Sequence, residues 1–249
     1  MMLDLRKQAE RFGADIREGS IAKVDFSKKP YVLTTDTGKE IEADTVIIAT
    51  GASAKYLGLA DEQKYAGMGV SACATCDGFF YRKKVVAVVG GGDTACEEAY
   101  YLSNLAKKVY MIVRKPYLRA SAAMQQRVNE KENIEILYNT NTVGLFGEQF
   151  VEGAHLVQFK GTDKEKMLDI DIDGFFLAIG HKPNTDFLKG QVALDEQGYI
   201  ALGGITTETS VKGVFAAGDV ADPHYRQAIV AAGSGCCAAL DAKSYLDAL

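Results

Sequence analysis

Short, strongly apolar runs alternate with amphipathic segments through the middle of the chain. The apolar runs are typical of strands buried on both faces of a parallel sheet, and the amphipathic segments have helical periodicity. In chain order they predict the strand Lys84–Val89, the helix Asp93–Leu105, the strand Val109–Arg114, the helix Ala120–Glu130 and the strand Ile134–Tyr138. This alternation predicts an α/β unit built on a parallel sheet.

Three further apolar runs end at or beside a glycine: Asp44–Ala52, Phe175–Gly180 and Gly213–Asp219. We predict a buried strand in each, and the carboxyl end of such a strand is where an α/β sheet usually meets its ligand. The segments Leu145–Lys160 and Met167–Ile172 alternate in the manner of antiparallel strands and are predicted to cover the middle unit.

The outer parts of the chain predict a second domain. Helices are expected at Leu3–Phe12 and Tyr225–Leu249, and periodicity is weak in the glycine-containing segment 55–72. Near Pro183 the chain is expected to return from the inserted domain to the first one. The sequence therefore predicts a nested arrangement, in which residues 1–54 and 185–249 form one discontinuous domain and residues 55–184 form a second domain inserted into it.

Charge and composition narrow the classes of partner. The chain has 249 residues and a net charge of −5 at pH 7, without long runs of lysine or arginine. Nucleic acid and anionic membranes are therefore not expected as partners. No apolar stretch has the length of a signal peptide or a membrane span, so we expect a cytoplasmic protein.

A glycine turn follows the predicted strand Lys84–Val89. The sequence from Gly90 through Gly92, Asp93 and Thr94 to Ala95 fits G-x-G-x-x-A. In this motif the first glycine permits the turn, the second lets the backbone approach a pyrophosphate, and the alanine allows close helix–strand packing. A purely structural glycine turn is the alternative, but a strand before it and a helix after it favour a dinucleotide site.

The end of the next strand indicates which dinucleotide binds. An NAD site carries Asp or Glu roughly 20 residues after the glycines, to bind the ribose hydroxyls. This chain has Arg114 and Lys115 at that place and Arg119 shortly after. Three cations and no acid at this place favour a site for the 2′-phosphate of NADPH. A solvated basic loop is the alternative.

The pair Cys73-Ala-Thr-Cys76, followed by Asp77, is the second candidate site. Zinc needs four ligands, whereas the other close pair, Cys236-Cys237, is adjacent and the three histidines are scattered, so redox use is favoured over zinc binding, which stays a third alternative. An odd count of five cysteines also argues against a structural disulfide framework. We predict a redox pair, with Asp77 exchanging a proton with the thiols or, alternatively, serving as a turn residue before Gly78.

Hydride carries two electrons, whereas disulfide exchange proceeds through thiolates, so a flavin is expected to mediate between them. The strand ends at Thr50-Gly51 and Gly218-Asp219 are candidates for parts of its site. The helix that opens at Arg226-Gln227-Ala228 would direct its positive end towards the reduced ring. A structural Gly-Asp turn is the alternative.

Together these residues resemble the low-molecular-weight thioredoxin reductases. The similarity covers nearly the whole chain, and CATCDG followed closely by GGGDTA is its most specific part. The matching segments are ATGA at 49–52, SACATCDGFFYR at 71–82, VVGGGDTACEEAYYLSN at 88–104, AIGHKPNT at 178–185, GVFAAGDV at 213–220 and YRQAIVAAGSGCCAALDAKSYL at 225–246.

The resemblance implies an α/β fold of the pyridine nucleotide-disulfide oxidoreductase type, with two nested Rossmann-like three-layer domains. It implies FAD bound by the domain formed from both chain ends and NADPH bound by the inserted domain. It further implies a homodimer, thioredoxin as the partner, and a cycle in which the NADPH domain rotates. The family opens with an FAD-pyrophosphate unit that this sequence lacks, so we expect the first domain to be incomplete and the chain to be either N-terminally truncated or a short gene product.

The resemblance also implies individual roles. Cys76 would face the flavin, Cys73 would attack the thioredoxin disulfide, and Asp77 would be the acid. The implied NADPH contacts are Gly90, Gly92, Asp93, Thr94, Ala95, Arg114, Lys115, Arg119, Ile179 and Gly180. The implied flavin contacts are Thr50, Gly51, Gly218, Asp219, Val220, Arg226, Gln227 and Ala228. The alternatives are a flavoprotein reductase that serves a peroxidase, whose family prefers NADH, and an NADP(H)-binding module without catalysis.

Overall fold

The computed structural model describes residues 2–249. Within them the α-helices are α1 (Met2–Arg11), α2 (Ala60–Lys64), α3 (Ala74–Asp77), α4 (Asp93–Ser103), α5 (Ala122–Asn129) and α6 (Ala228–Asp247). The strands are β1 (Ile21–Asp25), β2 (Tyr31–Thr35), β3 (Glu40–Ala43), β4 (Val46–Ile48), β5 (Ala52–Ala54), β6 (Val70–Ser71), β7 (Val85–Val89), β8 (Lys108–Val113), β9 (Ile134–Tyr138), β10 (Thr140–Phe146), β11 (Gly153–Gln158), β12 (Lys166–Asp171), β13 (Gly174–Leu177), β14 (His181–Pro183) and β15 (Val214–Ala216). Short 3-10 helices lie at Gly78–Tyr81, Asp186–Leu188 and Gly218–Val220.

The chain forms two compact units. One contains Met1–Ser53 together with Pro183–Leu249, and the other contains Ala54–Lys182. The chain passes between them at β5 and β14. The division lies close to the sequence-based boundaries at residues 54/55 and 184/185, and one unit is inserted into the other.

A five-stranded parallel sheet forms the centre of the Ala54–Lys182 unit, in the order β6-β13-β7-β8-β9. The central strand β7 has the sequence VVAVV, and its Val86, Ala87 and Val88 are fully buried. A parallel strand covered on both faces requires such a continuous apolar run, because neither set of alternating side chains faces water.

Different layers cover the two faces of this sheet. On one face, Val86 and Val88 pack in a core with residues of α4 and α5, including Leu102 and Met124. On the other, Ala87 and Val89 pack with side chains of the antiparallel sheet β10-β11-β12. The unit therefore has three layers: helices, parallel sheet and antiparallel sheet.

The antiparallel structure predicted for Leu145–Lys160 is present, but it extends over two strands. The segment contains the end of β10, a turn and the whole of β11. Gly147 makes the turn with φ of +147°, and a Cβ at this position would come within 2.0 Å of the Phe150 carbonyl oxygen. Only glycine fits there, which allows the chain to turn sharply between β10 and β11. The alternating pattern therefore continues across a hairpin.

The unit formed by both chain ends contains the antiparallel meander β1-β2-β3 and the parallel pair β4–β15. Its main core includes Val24, Ile48 and Val214. Helix α6 buries Ala238 and Ala242, which pack with Phe215. Helix α1 forms near its predicted position at Leu3–Phe12, but none of its residues is buried in the described part of the chain.

Candidate active site

A cavity of about 740 Å³ opens at the carboxyl ends of β7 and β8 and beyond the end of β13. This is the edge at which parallel α/β sheets bind nucleotides. It is lined by Tyr56, Leu57, Val89, Gly90, Gly91, Gly92, Asp93, Thr94, Ile112, Val113, Arg114, Lys115, Tyr117, Arg119, Thr140, Asn141, Thr142, Ala178, Ile179 and Gly180. The lining thus contains every residue of the predicted dinucleotide set except Ala95.

The glycine turn has the geometry that a phosphate site needs. Gly90 has φ of +143°, and a Cβ there would lie 2.5 Å from the Ala178 carbonyl oxygen and 2.8 Å from the Ala95 Cβ. Both positions must therefore stay small for the turn to pack against the sheet. Gly92 precedes α4 with no side-chain cap, and a Cβ there would meet nothing within 4 Å. The first N–H groups of α4 are thus accessible to an anion.

Arg114, Lys115 and Arg119 form a cationic cluster at the rim of the cavity. All three are exposed, and within residues 2–249 their side chains have no hydrogen bond or ion pair. The loop that carries them is fixed to the glycine turn by two hydrogen bonds. The Arg119 N–H donates to the Gly91 carbonyl oxygen at 2.6 Å, and the Ser121 N–H donates to Asp93 Oδ1 at 2.9 Å.

Asp93 therefore has a role that the motif alone does not indicate. The hydrogen bond from the Ser121 backbone N–H holds the pKa of the Asp93 carboxyl below its ordinary value. Asp93 belongs to the predicted dinucleotide set, and in the structure its carboxylate anchors the cationic loop. The neighbouring Thr94 lies in the cavity wall.

Several wall residues were not found from the sequence: Tyr56, Leu57, Tyr117, Thr140, Asn141 and Thr142. Tyr117 lies inside the basic segment, so its position next to Lys115 was a usable signal. Tyr56 and Leu57 precede the inserted sheet, and the other three start β10. Their sequence contains no motif that connects them with the glycine turn.

A buried carboxylate fixes the Tyr56–Leu57 wall. Glu62 is 2% exposed and accepts hydrogen bonds from the backbone N–H groups of Leu57, Gly58 and Leu59 at 2.9, 2.8 and 3.0 Å. A buried carboxylate is stable only when such donors compensate for its lost hydration. Glu62 is thus the internal support of this loop.

Cys73 and Cys76 form a disulfide, with their Cα atoms 5.3 Å apart. Cys73 caps the short helix α3, and the Cys76 N–H donates to the Cys73 Sγ at 3.2 Å. The pair follows the edge strand β6, and neither cysteine lines the nucleotide cavity. Phe79 and Phe80 lie just beyond the pair and are 65% and 72% exposed.

Asp77 is joined to the backbone of Cys73 through Ser71. The Ser71 hydroxyl donates to Asp77 Oδ2 at 2.7 Å, and Ser71 Oγ accepts the Cys73 N–H at 3.1 Å. Burial, followed by the nearby charges of Asp77 and Asp173, raises the pKa of Tyr81. Sequence reasoning missed Ser71, although it stands only two residues before the first cysteine.

The predicted flavin residues all lie in the unit formed by both chain ends. Gly51 and Gly218 have φ of +69° and +73°, and both follow strands of the parallel pair β4–β15. Asp219 is half-buried, with no side-chain hydrogen bond within the described residues. These features fit a site at the carboxyl edge of a sheet.

Other members of the flavin set have local roles. The Thr50 hydroxyl donates to the Asn184 carbonyl oxygen at 2.8 Å, and the Arg226 guanidinium donates to the Pro223 carbonyl oxygen at 2.9 Å. The Val220 side chain is fully buried in the core, so only its backbone is available to a ligand. Gln227 occupies the N-cap position of α6 without a side-chain capping hydrogen bond, and the helix begins at the exposed Ala228.

Three cysteines lie outside the Cys73–Cys76 disulfide: Cys96, Cys236 and Cys237. Cys96 is buried and unpaired, and burial raises the pKa of its thiol to about 11. Across residues 2–249 no three His, Cys, Asp or Glu side chains are grouped to hold a metal ion. Over the same range no helix is both long enough and apolar enough to cross a bilayer.

The fold and these sites define a nucleotide-binding α/β protein that carries a disulfide in the same unit as its nucleotide cavity. The chain belongs to the pyridine nucleotide-disulphide oxidoreductase family, whose profile matches residues 6–235. This result confirms the fold class expected from the sequence.

The chain is similar over its whole length to individual thioredoxin reductases. The chain is 48% identical over 254 residues to thioredoxin reductase 1 of Saccharomyces cerevisiae, covering 100% of this chain and 79% of the yeast protein. It is 49% identical over 257 residues to the thioredoxin reductase of Coxiella burnetii, again covering 100% and 79%. The solved thioredoxin reductase of Giardia duodenalis is 43% identical, with a TM-score of 0.89 over 99% of this chain and 80% of that one. The expected resemblance to thioredoxin reductases is thus confirmed.

Proposed function

We propose that this chain is an NADPH-dependent thioredoxin-disulfide reductase. Two electrons pass from NADPH by way of FAD to the Cys73–Cys76 disulfide, and then to the disulfide of thioredoxin. The observation that carries the proposal is the presence, in one unit, of a closed Cys-x-x-Cys disulfide and a cationic cavity beside a glycine turn. The names of relatives 48% and 49% identical over the whole chain support the choice of thioredoxin.

The choice of NADPH rests on the cationic cluster. Arg114, Lys115 and Arg119 are unpaired within the described chain, and the cavity wall has no acid at the end of β8 where an NAD site would place one. A 2′-phosphate would give these side chains the anionic partner that they lack. The first turn of α4 is suited to the pyrophosphate. Gly92 provides the close backbone approach.

The flavin site is assigned to Gly51, Gly218, Asp219 and the start of α6. A bound FAD would accept a hydride from the nicotinamide and release electrons singly or in pairs. Asp219 would accept a hydrogen bond from a polyol hydroxyl, and the two positive-φ glycines would allow a close backbone approach. The first N–H groups of α6, which begins at Ala228, would stabilise negative charge on the reduced ring.

The cysteines carry out the exchange. Reduction of the disulfide with two electrons and two protons gives two thiols. The Cys73 thiolate attacks one sulfur of the thioredoxin disulfide and releases the other as a thiolate. The Cys76 thiolate then attacks the Cys73 sulfur of the mixed disulfide, which restores the Cys73–Cys76 bond and releases the second thioredoxin sulfur as a thiolate. The Cys76 N–H, 3.2 Å from Cys73 Sγ, would stabilise a thiolate on Cys73. Asp77 is the assigned proton donor and acceptor.

The chain is further proposed to act in the cytoplasm as a homodimer. Cys96, Cys236 and Cys237 are unpaired, which accords with a reducing compartment. The dimer is carried over from the family resemblance.

The proposal is tested by following NADPH oxidation with two acceptors, thioredoxin and the disulfide of a peroxidase. Faster turnover with thioredoxin, and with NADPH rather than NADH, would support it. Turnover only with the peroxidase and NADH would assign the chain to the peroxidase-serving reductases. NADPH binding without reduction of either acceptor would leave an NADP(H)-binding module.

A further inference from the structure

Thr142 presents an unsatisfied polar group in the wall of the nucleotide cavity. The residue is 9% exposed, and its hydroxyl oxygen is buried without a hydrogen-bond partner within residues 2–249. Leaving a buried hydroxyl unpaired is unfavourable, and the great majority of such groups in folded proteins have a partner. Thr142 lines the cavity, so a bound ligand is the candidate for that partner.

The register of β10 shows which way Thr142 points. It lies directly opposite Leu156 of β11, and residues paired in this way project to the same face of an antiparallel sheet. Leu156 packs in the core that also contains Val89 and Ile112, the cavity-lining residues near the ends of β7 and β8. The Thr142 side chain therefore lies on the sheet face that closes over the cavity.

The start of β10 lies beside the cationic cluster. The Asn139 N–H donates to the Lys115 carbonyl oxygen at 3.2 Å, and Tyr138 at the end of β9 pairs with Val113 of β8. If the cluster binds the 2′-phosphate, the ribose that carries this phosphate also carries the adenine. The adenosine part of the dinucleotide is then the part that reaches β10.

We propose that the Thr142 hydroxyl forms a hydrogen bond with the adenosine part of bound NADPH and contributes to recognition of that half of the cofactor. The proposal rests on the assignment of this cavity to NADPH. Adenosine offers several partners for a hydroxyl: ring nitrogens that accept, an amino group that donates, and ribose hydroxyls that do either.

Thr140 provides a matched comparison on the same strand. It also lines the cavity and is 1% exposed, but its hydroxyl donates to the Tyr138 carbonyl oxygen at 2.8 Å. Thr→Val removes a satisfied hydroxyl at position 140 and an unsatisfied one at position 142. Thr140→Val should therefore lower the denaturant midpoint of the ligand-free chain, whereas Thr142→Val should leave it unchanged or raise it.

The test measures dissociation constants of the full chain for NADPH, for 2′,5′-ADP and for reduced nicotinamide mononucleotide by calorimetry. Thr142→Val should weaken NADPH and 2′,5′-ADP by the same factor, about three- to tenfold, as expected for one hydrogen bond. Its effect on the mononucleotide should be smaller. Thr142→Ser keeps the hydroxyl and should restore most of the affinity, and the loss in Thr140→Val should be several-fold smaller than in Thr142→Val.

Two results would overturn the inference while leaving the NADPH assignment intact. One is wild-type affinity of Thr142→Val for both NADPH and 2′,5′-ADP. The other is a loss confined to NADPH and the mononucleotide, which would place the hydroxyl at the nicotinamide half. If the wild-type chain binds neither NADPH nor 2′,5′-ADP, the proposed function fails, and the inference fails with it.

Discussion

The hydroxyl of Ser71 donates a 2.7 Å hydrogen bond to the carboxylate of Asp77. The group proposed to exchange protons, Asp77, is thus held by a residue that stands two positions before Cys73 in the sequence. The same Ser71 oxygen accepts the Cys73 N–H, which couples the position of Asp77 to the backbone of the first cysteine. Asp77 is thus oriented rather than free to rotate. This contact accords with the proposed role of Asp77 in proton exchange.

Ser71→Ala should slow reduction of thioredoxin, because the Asp77 carboxylate loses the donor that fixes its position. We expect a decrease of about three- to tenfold in kcat, equivalent to one hydrogen bond, with little change in the KM for NADPH. Ser71→Thr keeps a hydroxyl and serves as the control. Unchanged kcat in Ser71→Ala and in Asp77→Asn would return Asp77 to the role of a turn residue.

Arg114→Glu should weaken NADPH much more than NADH. The side chain lines the cavity without a partner in the described residues, so its charge is available to a 2′-phosphate. Reversing the charge should raise the Kd for NADPH by about tenfold or more, given the strength of charge-assisted hydrogen bonds. Arg127→Glu on α5, outside the cavity, controls for net charge. If Arg114→Glu lost the same factor of affinity for NADPH and for NADH, the assignment of this cluster to the 2′-phosphate would be contradicted.

Glu62→Gln should destabilise the loop that forms one cavity wall. The amide oxygen can replace only one acceptor, so part of the set of three backbone N–H donors loses its partner. We expect a loss of about 1–3 kcal/mol in the free energy of unfolding and weaker NADPH binding. Chemical denaturation and titration with NADPH measure the two effects. Gln63→Ala, at an exposed neighbour, should change neither, and wild-type behaviour of Glu62→Gln would show that the loop needs no carboxylate.

The Cys96 thiol should resist alkylation in the folded chain. Its pKa is raised to about 11, so the reactive thiolate is scarce at pH 8, and the side chain is fully buried. Because the folded-state pKa is raised, the stability gained from the neutral thiol is present below the ordinary thiol pKa. It is lost as the pH rises towards 11. Mass spectrometry after iodoacetamide treatment should show modification of Cys96 only in denaturant; rapid labelling of native protein would contradict its burial.

The glycine turn, the basic strand end and the cysteine pair could be predicted from sequence because each is a local pattern that fixes its own geometry. Gly90, Gly92 and Ala95 lie within one turn and the helix that follows. The strands β7 and β8 also lie close to their predicted positions, since most residues of their apolar runs are buried.

Other wall residues could not be found in this way. Thr142 and Leu57 reach the cavity only because of the order of the strands and the support from Glu62, neither of which leaves a local pattern. The hairpin at Gly147 was missed for a related reason. Its alternation continues across the turn, so periodicity alone does not show where one strand ends.

The central claim is that NADPH reduces the Cys73–Cys76 disulfide. The most direct measurement is differential alkylation of the purified chain before and after anaerobic addition of NADPH, with the modified peptides read by mass spectrometry. We predict that Cys73 and Cys76 are unlabelled beforehand and that both are labelled after NADPH, with NADH much less effective. A Cys73–Cys76 bond that persists in excess NADPH, in a chain shown to bind it, would contradict the account.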